Sequence, residues 1–421
     1  MKAQRIGFIG LGKLGLPVAL AIENNGHTVC GYDVNKDVAK YLEEKKIPYR
    51  EEGAEELLQK SQITFEKNIE TVVQKSDIIF IPVQTPHDAR FEGITRLPRA
   101  RADFNYKHLI RATYDVIHAI EKQGMPKIVC IISTVLPGTI KRTIKPVMDK
   151  ANEFGQLVNL VYTPQFIAMG TTINDFLNPE FTLLGVNDEK TADTMQEFFE
   201  DMTGKPTFRT DISTAEGIKV FYNTFITMKT VLANIYGEMA EKLNMNVDDI
   251  YKALSMADKR IISNKYLKAG MGDGGGCHPR DNIALSWVAK QNNLSFDIFT
   301  ALMKAREAHI EWQVDLIVQQ YEKKKLPILI LGKTFKPETN IVTGSPAILL
   351  ANLLAERELE FAHYDPYVDS PTLEIDEPHI IFLATDHPYD LGEIPTGSIL
   401  IDPFGSTPDL PGVKVMRLGR P

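Results

Sequence analysis

Cys277 lies in the segment of this chain whose residue types point most directly to chemistry. It follows three consecutive glycines and precedes His278-Pro279-Arg280-Asp281-Asn282. Proline suits the first turn of a helix, so Pro279 predicts that a helix begins beside the cysteine. The N-terminus of a helix favours a thiolate through its dipole and its free N–H groups. The local sequence leaves two interpretations open: a nucleophile in a glycine-lined pocket, or a small buried residue.

A glycine-rich turn near the N-terminus indicates a dinucleotide site. Gly10-Leu11-Gly12-Lys13-Leu14-Gly15 follows the apolar run Ile6–Ile9 and opens a helical pattern, and Asp33 ends the next apolar run. Glycines at this spacing let the backbone approach a pyrophosphate that docks on the helix N-terminus, and the acid accepts hydrogen bonds from ribose hydroxyls. A carboxylate would repel a 2′-phosphate, so Asp33 predicts NAD rather than NADP.

Three further polar positions are candidates with weaker local signals. Lys219 and Asn223 lie four residues apart in a helical pattern and therefore share one face. Lys336 follows a predicted strand of the last α/β region, where loops of such sheets bind ligands. Arg260 carries no local signal of its own. In isolation each of these residues is also compatible with an ordinary solvated side chain.

The composition bounds the class of protein. The chain has 421 residues, a net charge of −8, 43% hydrophobic residues and three cysteines. The acidic balance argues against nucleic-acid binding, and no apolar run reaches the roughly 18 residues that a membrane span needs. Three cysteines cannot form a disulfide framework, which fits a reducing cytosol. The N-terminus enters a strand directly, so we predict a cytoplasmic protein without a signal peptide or a membrane partner.

The order of apolar and helical patterns predicts an α/β fold. It consists of two Rossmann-like doubly wound sheet domains joined by a long helix and a small all-α central domain. We predict three domains over 1–205, 206–318 and 319–421: a Rossmann domain that binds NAD, a helical domain with the Cys277 loop, and a second α/β domain. The long helix is predicted over Ser213–Leu243, and Phe91–Phe104 is predicted as a surface loop. Six side chains are expected in the core: Cys30, Cys130, Met228, Met239, Met256 and Trp287.

Taken together and in this order, the motifs resemble those of the UDP-glucose/GDP-mannose dehydrogenase family over essentially the whole chain. The segments that carry the resemblance are Gly10–Gly15 with Asp33, Val83–Pro86, Ser133–Thr139, Asp175–Pro179, Glu216–Asn223, Arg260–Gly270, Cys277–Asp281, Gly332–Pro337 with Ser345-Pro346, and Tyr364–Pro366.

The resemblance implies an NAD-dependent, four-electron oxidation of the primary alcohol of a UDP- or GDP-linked sugar, through a thiohemiacetal and a thioester on Cys277. The implied catalytic residues are Cys277, Lys219, Asn223, Asp281 and Thr134. The implied cofactor-binding residues are Gly10, Gly12, Lys13, Leu14, Gly15, Asp33, Val83, Thr85, Pro86, Ser133 and Thr134. The implied substrate-binding residues are Gln165, Phe166, Lys219, Asn223, Arg260, Tyr266, Leu267, Gly274 and Lys336. The resemblance also implies that the helical domain over 206–318 forms a homodimer, in which Arg260 reaches the neighbouring subunit's site. It further implies that the α/β domain over 319–421 binds the nucleotide sugar and that no metal takes part.

The chain departs from the family pattern beside the implied site. The family typically has Asn-Pro-Glu-Phe-Leu-x-Glu-Gly where this chain has Thr163-Pro164-Gln165-Phe166-Ile167-Ala168-Met169-Gly170, so both carboxylates are absent. The first is thought to act as a general base, which an amide cannot do. The open alternatives are that Asp281, Lys219 or a water relay replaces it, that His278 or Asp273 does, or that thioester hydrolysis is slow. A two-electron enzyme and a non-catalytic nucleotide-sugar binder also stay open.

Substrate contacts depart from the pattern as well. Two arginines of the family pattern are Thr343 and Phe404 here, and Arg280 replaces a lysine. These changes indicate altered contacts to the sugar. The sequence leaves UDP-glucose, GDP-mannose, UDP-N-acetylmannosamine and UDP-N-acetylglucosamine as open substrates.

Overall fold

The computed structural model describes residues 2–86, 102–153, 155–168, 170–263, 269–271, 277–370, 374–389 and 394–420. Within these ranges the side chains of residues 230, 231, 234, 241, 277, 278, 280, 281 and 284 are not described. The chain divides into two compact units, Met1–Met228 and Lys229–Pro421. Most of the predicted loop Phe91–Phe104 and the predicted site residues Tyr266, Leu267 and Gly274 lie outside the described residues.

The first unit is built on an eight-stranded sheet, in the order β3-β2-β1-β4-β5-β6-β7-β8. The strands are β1 (Arg5–Ile9), β2 (Thr28–Tyr32), β3 (Thr64–Phe65), β4 (Ile78–Ile81), β5 (Lys127–Ile131), β6 (Val158–Tyr162), β7 (Thr182–Val186) and β8 (Thr207–Thr210). All neighbours pair in parallel except β6 and β7. From β1 the chain builds β2 and β3 on one side and then crosses back to form β4 on the other side of β1, so the topological switch point lies between β1 and β4.

Helices accompany the strands of this sheet, as the alternating sequence pattern predicts. They are α1 (Gly15–Asn24), α2 (Asp37–Glu44), α3 (Ala54–Lys60), α4 (Ile69–Lys75), α5 (Lys107–Gln123), α6 (Thr139–Thr143), α7 (Lys145–Ala151), α8 (Thr172–Leu177) and α9 (Glu189–Thr203). Side-chain caps start some of them: Asn68 accepts from the Thr71 N–H, and Asp188 from the Thr191 N–H. Cys30 and Cys130 are buried, which confirms that they belong to the core.

The middle of the chain is helical. The helices are α10 (Ile212–Leu243), α11 (Val247–Ser255), α12 (Cys277–Gln291) and α13 (Ile298–Lys324). The predicted long helix is therefore confirmed as α10. The expected burial is wrong for three of the four central side chains: Trp287 is 64% exposed, Met228 55% and Met256 81%, whereas Met239 is buried. Helical spacing predicts apolar faces at these positions, but Met228, Met256 and Trp287 remain exposed among the described residues of the single chain.

The second unit contains a five-stranded sheet in the order β10-β9-β11-β12-β13. Its strands are β9 (Ile328–Leu331), β10 (Phe361–Tyr364), β11 (Ile380–Leu383), β12 (Ile399–Asp402) and β13 (Lys414–Arg417), with α14 (Pro346–Glu356) between β9 and β10. Every pairing is parallel. The switch point lies between β9 and β11. The two-sheet α/β architecture predicted from the sequence is confirmed.

Candidate active site

The turn after β1 has the geometry that its glycines predict. Gly10 has a φ of 113°, which favours glycine, and its N–H donates to the Tyr32 carbonyl (2.8 Å). The Leu11 N–H donates to Asp33 Oδ2 (2.7 Å), so the acid is tied to the glycine turn. A Cβ at Gly15 would lie 2.2 Å from the Gly10 carbonyl oxygen, whereas a Cβ at Gly12 would meet nothing within 4 Å. The structure thus brings the predicted cofactor residues together at the switch point.

These residues fit a bound dinucleotide. Gly12 leaves open space at the start of α1, which is the cradle that a pyrophosphate needs. Asp33 is half-buried and accepts from the N–H groups of Leu11 and Asn35. An ionised carboxylate has about four lone-pair sites, so Asp33 retains capacity for ribose hydroxyls.

The two glycines have separable roles, which predicts different mutant defects. In Gly15→Ala the methyl group would overlap the Gly10 carbonyl, so we expect a loss of roughly 1–3 kcal/mol in folding free energy. In Gly12→Ala the methyl group enters open space, so the fold should keep its stability while the dissociation constant for NAD rises about tenfold or more. Urea unfolding and NAD titration measure the two effects. Equal stability losses in both variants would contradict the assignment.

The loops after β4 and β5 join this edge of the sheet through side-chain hydrogen bonds. The Thr85 hydroxyl donates to the Thr134 carbonyl (2.8 Å), and the Ser133 hydroxyl donates to the Val83 carbonyl (2.5 Å). The Pro86 carbonyl accepts from the Asn105 N–H (2.7 Å). Because strands β4 and β5 are parallel neighbours, these loops lie together at the carboxyl edge where ligands bind.

Lys219 is buried, unlike most lysines on helices. It is 7% exposed, and its Nζ donates to the Gln165 carbonyl (2.8 Å) and lies 4.9 Å from the centre of the Phe166 ring. Burial lowers the pKa of this ammonium below its ordinary value. The predicted substrate residues Gln165 and Phe166 are thus in contact with Lys219. Asn223, one turn further along α10, is exposed.

Glu216 anchors the first turns of α10, and the sequence prediction missed this role. Its carboxylate is fully buried and accepts hydrogen bonds from the N–H groups of Gly138 and Ile140. Burial raises the pKa of the Glu216 carboxyl, against the opposite effect of those two N–H groups. This contact joins the helix that carries Lys219 to the loop that carries Thr134. Its only sequence signal is an acid three residues before the lysine.

The Gln165 side chain is also held in place. Its Nε2 donates to the Thr163 carbonyl (2.8 Å), two residues before it at the end of β6. The amide therefore turns toward the backbone of its own loop. An amide in this position orients neighbours through hydrogen bonds but does not accept a proton, so the structure adds no general base at residue 165.

The remaining predicted site residues belong to the second unit. Helix α12 begins at Cys277, which confirms the helix start that Pro279 predicts. Arg260 and Lys336 are exposed. The approach of Cys277 and Asp281 to Lys219, which lies in the first unit, stays a prediction. In the described part of the chain, no group of three or more His, Cys, Asp or Glu side chains is arranged around a possible metal ion. No described helix is long and apolar enough to cross a bilayer.

The turn after β9 in the second sheet repeats the turn after β1, but the acid that it contacts is fully buried. Gly332 has a φ of 106° and donates to the Tyr364 carbonyl (2.7 Å), and the Lys333 N–H donates to Asp365 Oδ2 (2.6 Å). Asp365 is fully buried, and its oxygens accept further bonds from the Thr334 and Tyr367 N–H groups. In contrast to Asp33, this carboxylate has no exposed oxygen for a ribose.

The glycine turn, the acid after β2 and the switch-point crevice define a dinucleotide-binding α/β protein. Comparison with known families is more specific. Residues 4–203 match the NAD binding domain of the UDP-glucose/GDP-mannose dehydrogenase family, and residues 213–307 match the central domain of that family. The chain belongs to the UDP-glucose/GDP-mannose dehydrogenase family, and its first domain binds NAD.

Individual relatives agree with this membership. The chain is 27% identical to a GDP-mannose 6-dehydrogenase of Pseudomonas aeruginosa over 376 residues, covering 87% of this chain and 82% of the relative. It is 29% identical to a UDP-glucose 6-dehydrogenase of Bacillus subtilis over 368 residues, covering 86% and 76%. Its fold resembles that of the GDP-mannose dehydrogenase of Pseudomonas aeruginosa, with a TM-score of 0.85, 23% identity and coverage of 98% and 99%.

Proposed function

We propose that this protein oxidises the primary alcohol of a nucleotide sugar to a carboxylate with two molecules of NAD. The observation that carries the proposal is the buried Lys219, fixed against Gln165 and Phe166 in the same unit as the NAD-binding turn. A lone buried ammonium costs folding free energy, which favours a role in stabilising negative charge on a reacting oxygen. Membership of the family supports the same activity.

We assign the chemical roles residue by residue. NAD, when bound, supplies the hydride acceptor for both oxidations. Loss of a hydride and a proton from the primary alcohol gives the aldehyde. The Cys277 thiolate adds to the aldehyde carbon, and the resulting oxyanion takes up a proton to give a thiohemiacetal. Loss of a second hydride and a proton converts the thiohemiacetal to a thioester. Water cleaves the thioester, releasing the carboxylate and the thiol. Lys219 and Asn223 stabilise the oxyanion, Asp281 handles protons, Thr134 positions water, and Arg260 and Lys336 bind substrate. Tyr266, Leu267 and Gly274 complete the proposed substrate contacts.

The nucleotide and the sugar are the finer part of the proposal. The relatives include both GDP-mannose and UDP-glucose 6-dehydrogenases, so a UDP- or GDP-linked hexose is the substrate class. The test is the amount of NADH formed per nucleotide sugar over a panel of both. Two NADH with a carboxylate product support the proposal. One NADH with an aldehyde product favours a two-electron enzyme, and none on any sugar favours a non-catalytic binder.

Gln165→Glu tests what limits release of the product. If thioester hydrolysis is slow because residue 165 is an amide, restoring a carboxylate should raise the steady-state rate by up to about 10²-fold. Rapid-quench measurements should show the burst of NADH disappear as hydrolysis becomes faster. Gln156→Glu is the matched control, because Gln156 precedes β6 whereas Gln165 follows it, and its amide also donates to a backbone carbonyl. A wild type without a burst would indicate that Asp281, Lys219, His278, Asp273 or a water relay already serves as base, and an unchanged burst in Gln165→Glu would show that residue 165 does not limit hydrolysis.

We also propose that the protein is a homodimer built on the central helices, with the three domains at 1–205, 206–318 and 319–421. Phe221, Phe225 and Met228 recur at helical spacing on α10 and are 68%, 51% and 55% exposed in the single chain. Burying such a stripe against a second copy would account for its apolar character. Light scattering on the purified protein measures the mass, and a monomer at micromolar concentration would refute the dimer. The cytoplasmic location remains a prediction.

A further inference from the structure

The loop after β9 lies where a parallel sheet binds ligands. Residues 332–338 leave the carboxyl end of β9 beside the switch point between β9 and β11, and open α/β sheets bind ligands in the crevice at such a point. Lys336 is exposed on this loop. A cation there suits the phosphates of a nucleotide sugar, but only if the loop backbone holds it in one place, because a lysine side chain has four rotatable bonds.

His387 is hydrogen-bonded to both ends of this loop. Its side chain is fully buried, and its Nδ1 accepts a hydrogen bond from the Glu338 N–H (3.1 Å). Its Nε2 lies 3.0 Å from the Thr334 hydroxyl oxygen and 3.1 Å from Asp365 Oδ2. Because a backbone N–H points at Nδ1, that nitrogen carries no proton, and the ring proton lies on Nε2 and faces the two oxygens.

The hydrogen bonds run in one consistent direction through the loop. The Nε2–H of His387 donates toward Thr334 and Asp365, which leaves the Thr334 hydroxyl free to donate to the Lys336 carbonyl (3.0 Å). The Thr385 hydroxyl donates to the Thr334 carbonyl (2.7 Å). The backbone at 334, 336 and 338 is therefore fixed by buried side chains.

The charge and packing around His387 make this arrangement stiff. Burial alone would raise the pKa of the Asp365 carboxyl, but hydrogen bonds from Lys333, Tyr367 and His387 outweigh it and hold the pKa below its ordinary value. Tyr367 stacks on the imidazole with ring centres 4.6 Å apart, and Tyr389 packs edge-on at 5.6 Å. A fully buried imidazole does not touch a ligand in the crevice, so any effect it has on binding acts through the loop.

We propose that His387 is a positioning residue that holds the loop 332–338 in the shape in which Lys336 meets the diphosphate of the substrate. The inference rests on the proposed function for its substrate class, a nucleoside diphosphate sugar. It adds that a buried side chain, which does not itself contact the substrate, sets the affinity for the diphosphate. His387, Thr334 and Asp365 act as one unit, so removing any hydrogen-bonding member loosens the same loop.

The test combines His387→Phe with direct binding measurements on the full chain. Phenylalanine keeps an aromatic ring against Tyr367 but leaves the Glu338 N–H without an acceptor. Calorimetric titration with UDP and with GDP should show binding of the preferred nucleotide weakened by about tenfold or more. The KM for the nucleotide sugar should rise by a similar factor, whereas kcat and the dissociation constant for NAD should stay within about threefold. His387→Asn, whose side-chain oxygen can still accept from Glu338, should recover most of the affinity.

Two controls separate positioning from a general loss of structure. His379→Phe changes the histidine at the opposite end of β11, and we expect wild-type affinity. In a double-mutant cycle, His387→Phe should add little to the loss caused by Lys336→Ala, because both act through one lysine. Additive losses, or a wild-type affinity in His387→Phe, would overturn the inference. If His387→Phe does not fold, Thr334→Val removes the donor to Lys336 instead, and wild-type affinity there overturns it equally.

The outcomes also distinguish this inference from the proposed function. A protein that oxidises no nucleotide sugar, yet binds UDP or GDP in a manner that depends on His387, contradicts the function and supports the positioning role. A protein that oxidises nucleotide sugars with a KM indifferent to His387→Phe does the reverse. Failure to bind either nucleoside diphosphate contradicts both.

Discussion

Lys219→Met is expected to lower kcat by roughly 10²–10³-fold, the cost of removing one preorganised charge from an oxyanion. Methionine keeps most of the volume and remains compatible with a helix, so the change removes the ammonium and little else. The buried Nζ has the Gln165 carbonyl as its described hydrogen-bond acceptor. Initial rates of NADH formation at saturating substrate measure the effect.

The same variant should be more stable than the wild type at neutral pH. Burial lowers the pKa of Lys219 from its ordinary value of 10.5, so the folded state binds its proton less tightly than the unfolded state does. That penalty is present below the lowered pKa and fades as the pH rises toward 10.5. We therefore expect Lys219→Met to gain roughly 1 kcal/mol at pH 7 and the difference to shrink at high pH. Chemical unfolding at several pH values measures it.

Lys190→Met is the matched control for both effects. Lys190 is an exposed lysine on α9 in the same unit, so its loss should change neither kcat nor the pH dependence of stability. Full activity in Lys219→Met would remove this residue from the proposed mechanism. Reduced activity without any gain in stability would show that the ammonium is compensated by a partner beyond the contacts described.

Cys277→Ser should abolish the second oxidation. A serine hydroxyl is far less ionised than a thiol at neutral pH, and the helix start at Cys277 helps a thiolate much more than a hydroxyl that stays protonated. We expect carboxylate formation to fall by roughly 10⁴-fold or more, while a first oxidation that needs no covalent bond leaves at most one NADH per sugar. Product analysis by mass spectrometry, with an aldehyde trap, separates the two steps.

Cys30→Ala is the control for loss of a thiol, because Cys30 is buried in β2 and has no proposed role in the chemistry. It should still form two NADH per sugar. If Cys277→Ser also formed two NADH and a carboxylate, the covalent route would be wrong, and direct hydration of the aldehyde would replace it.

The sequence predicts the main helices and strands of this protein well, because they depend on strong periodic patterns of apolar residues. The strands with continuous apolar runs, the long helix and the glycine turn with Asp33 are all found. Three described strands are short or polar and therefore give only a weak local signal: Thr64–Phe65, Thr207–Thr210 and Lys414–Arg417. Their pairing partners stabilise them, and a local pattern carries no information about those partners.

The candidate site is less predictable from the sequence than the secondary structure, because it depends on contacts between distant residues. Whether a helical lysine is solvated or buried depends on what packs over it, so the local sequence around Lys219 favours the exposed alternative that the structure rejects. The hydrogen bonds of Glu216 to the backbone at 138 and 140, and those of His387 to the loop 332–338, join residues that are far apart in sequence. Trp287 and Met256 were expected to be buried but are exposed. An apolar helical pattern predicts that a face will be covered, but it does not identify what covers it.

Two of the three cysteines are buried, which restricts the reaction of thiol reagents with the native protein. Cys30 and Cys130 are 6% and 0% exposed, and burial raises the pKa of both thiols, so neither presents a thiolate to reagents in solution. We therefore expect alkylation of the native chain to report on Cys277. The rate of that reaction against pH would titrate the proposed nucleophile, and protection by nucleotide sugars would give an occupancy assay that needs no turnover.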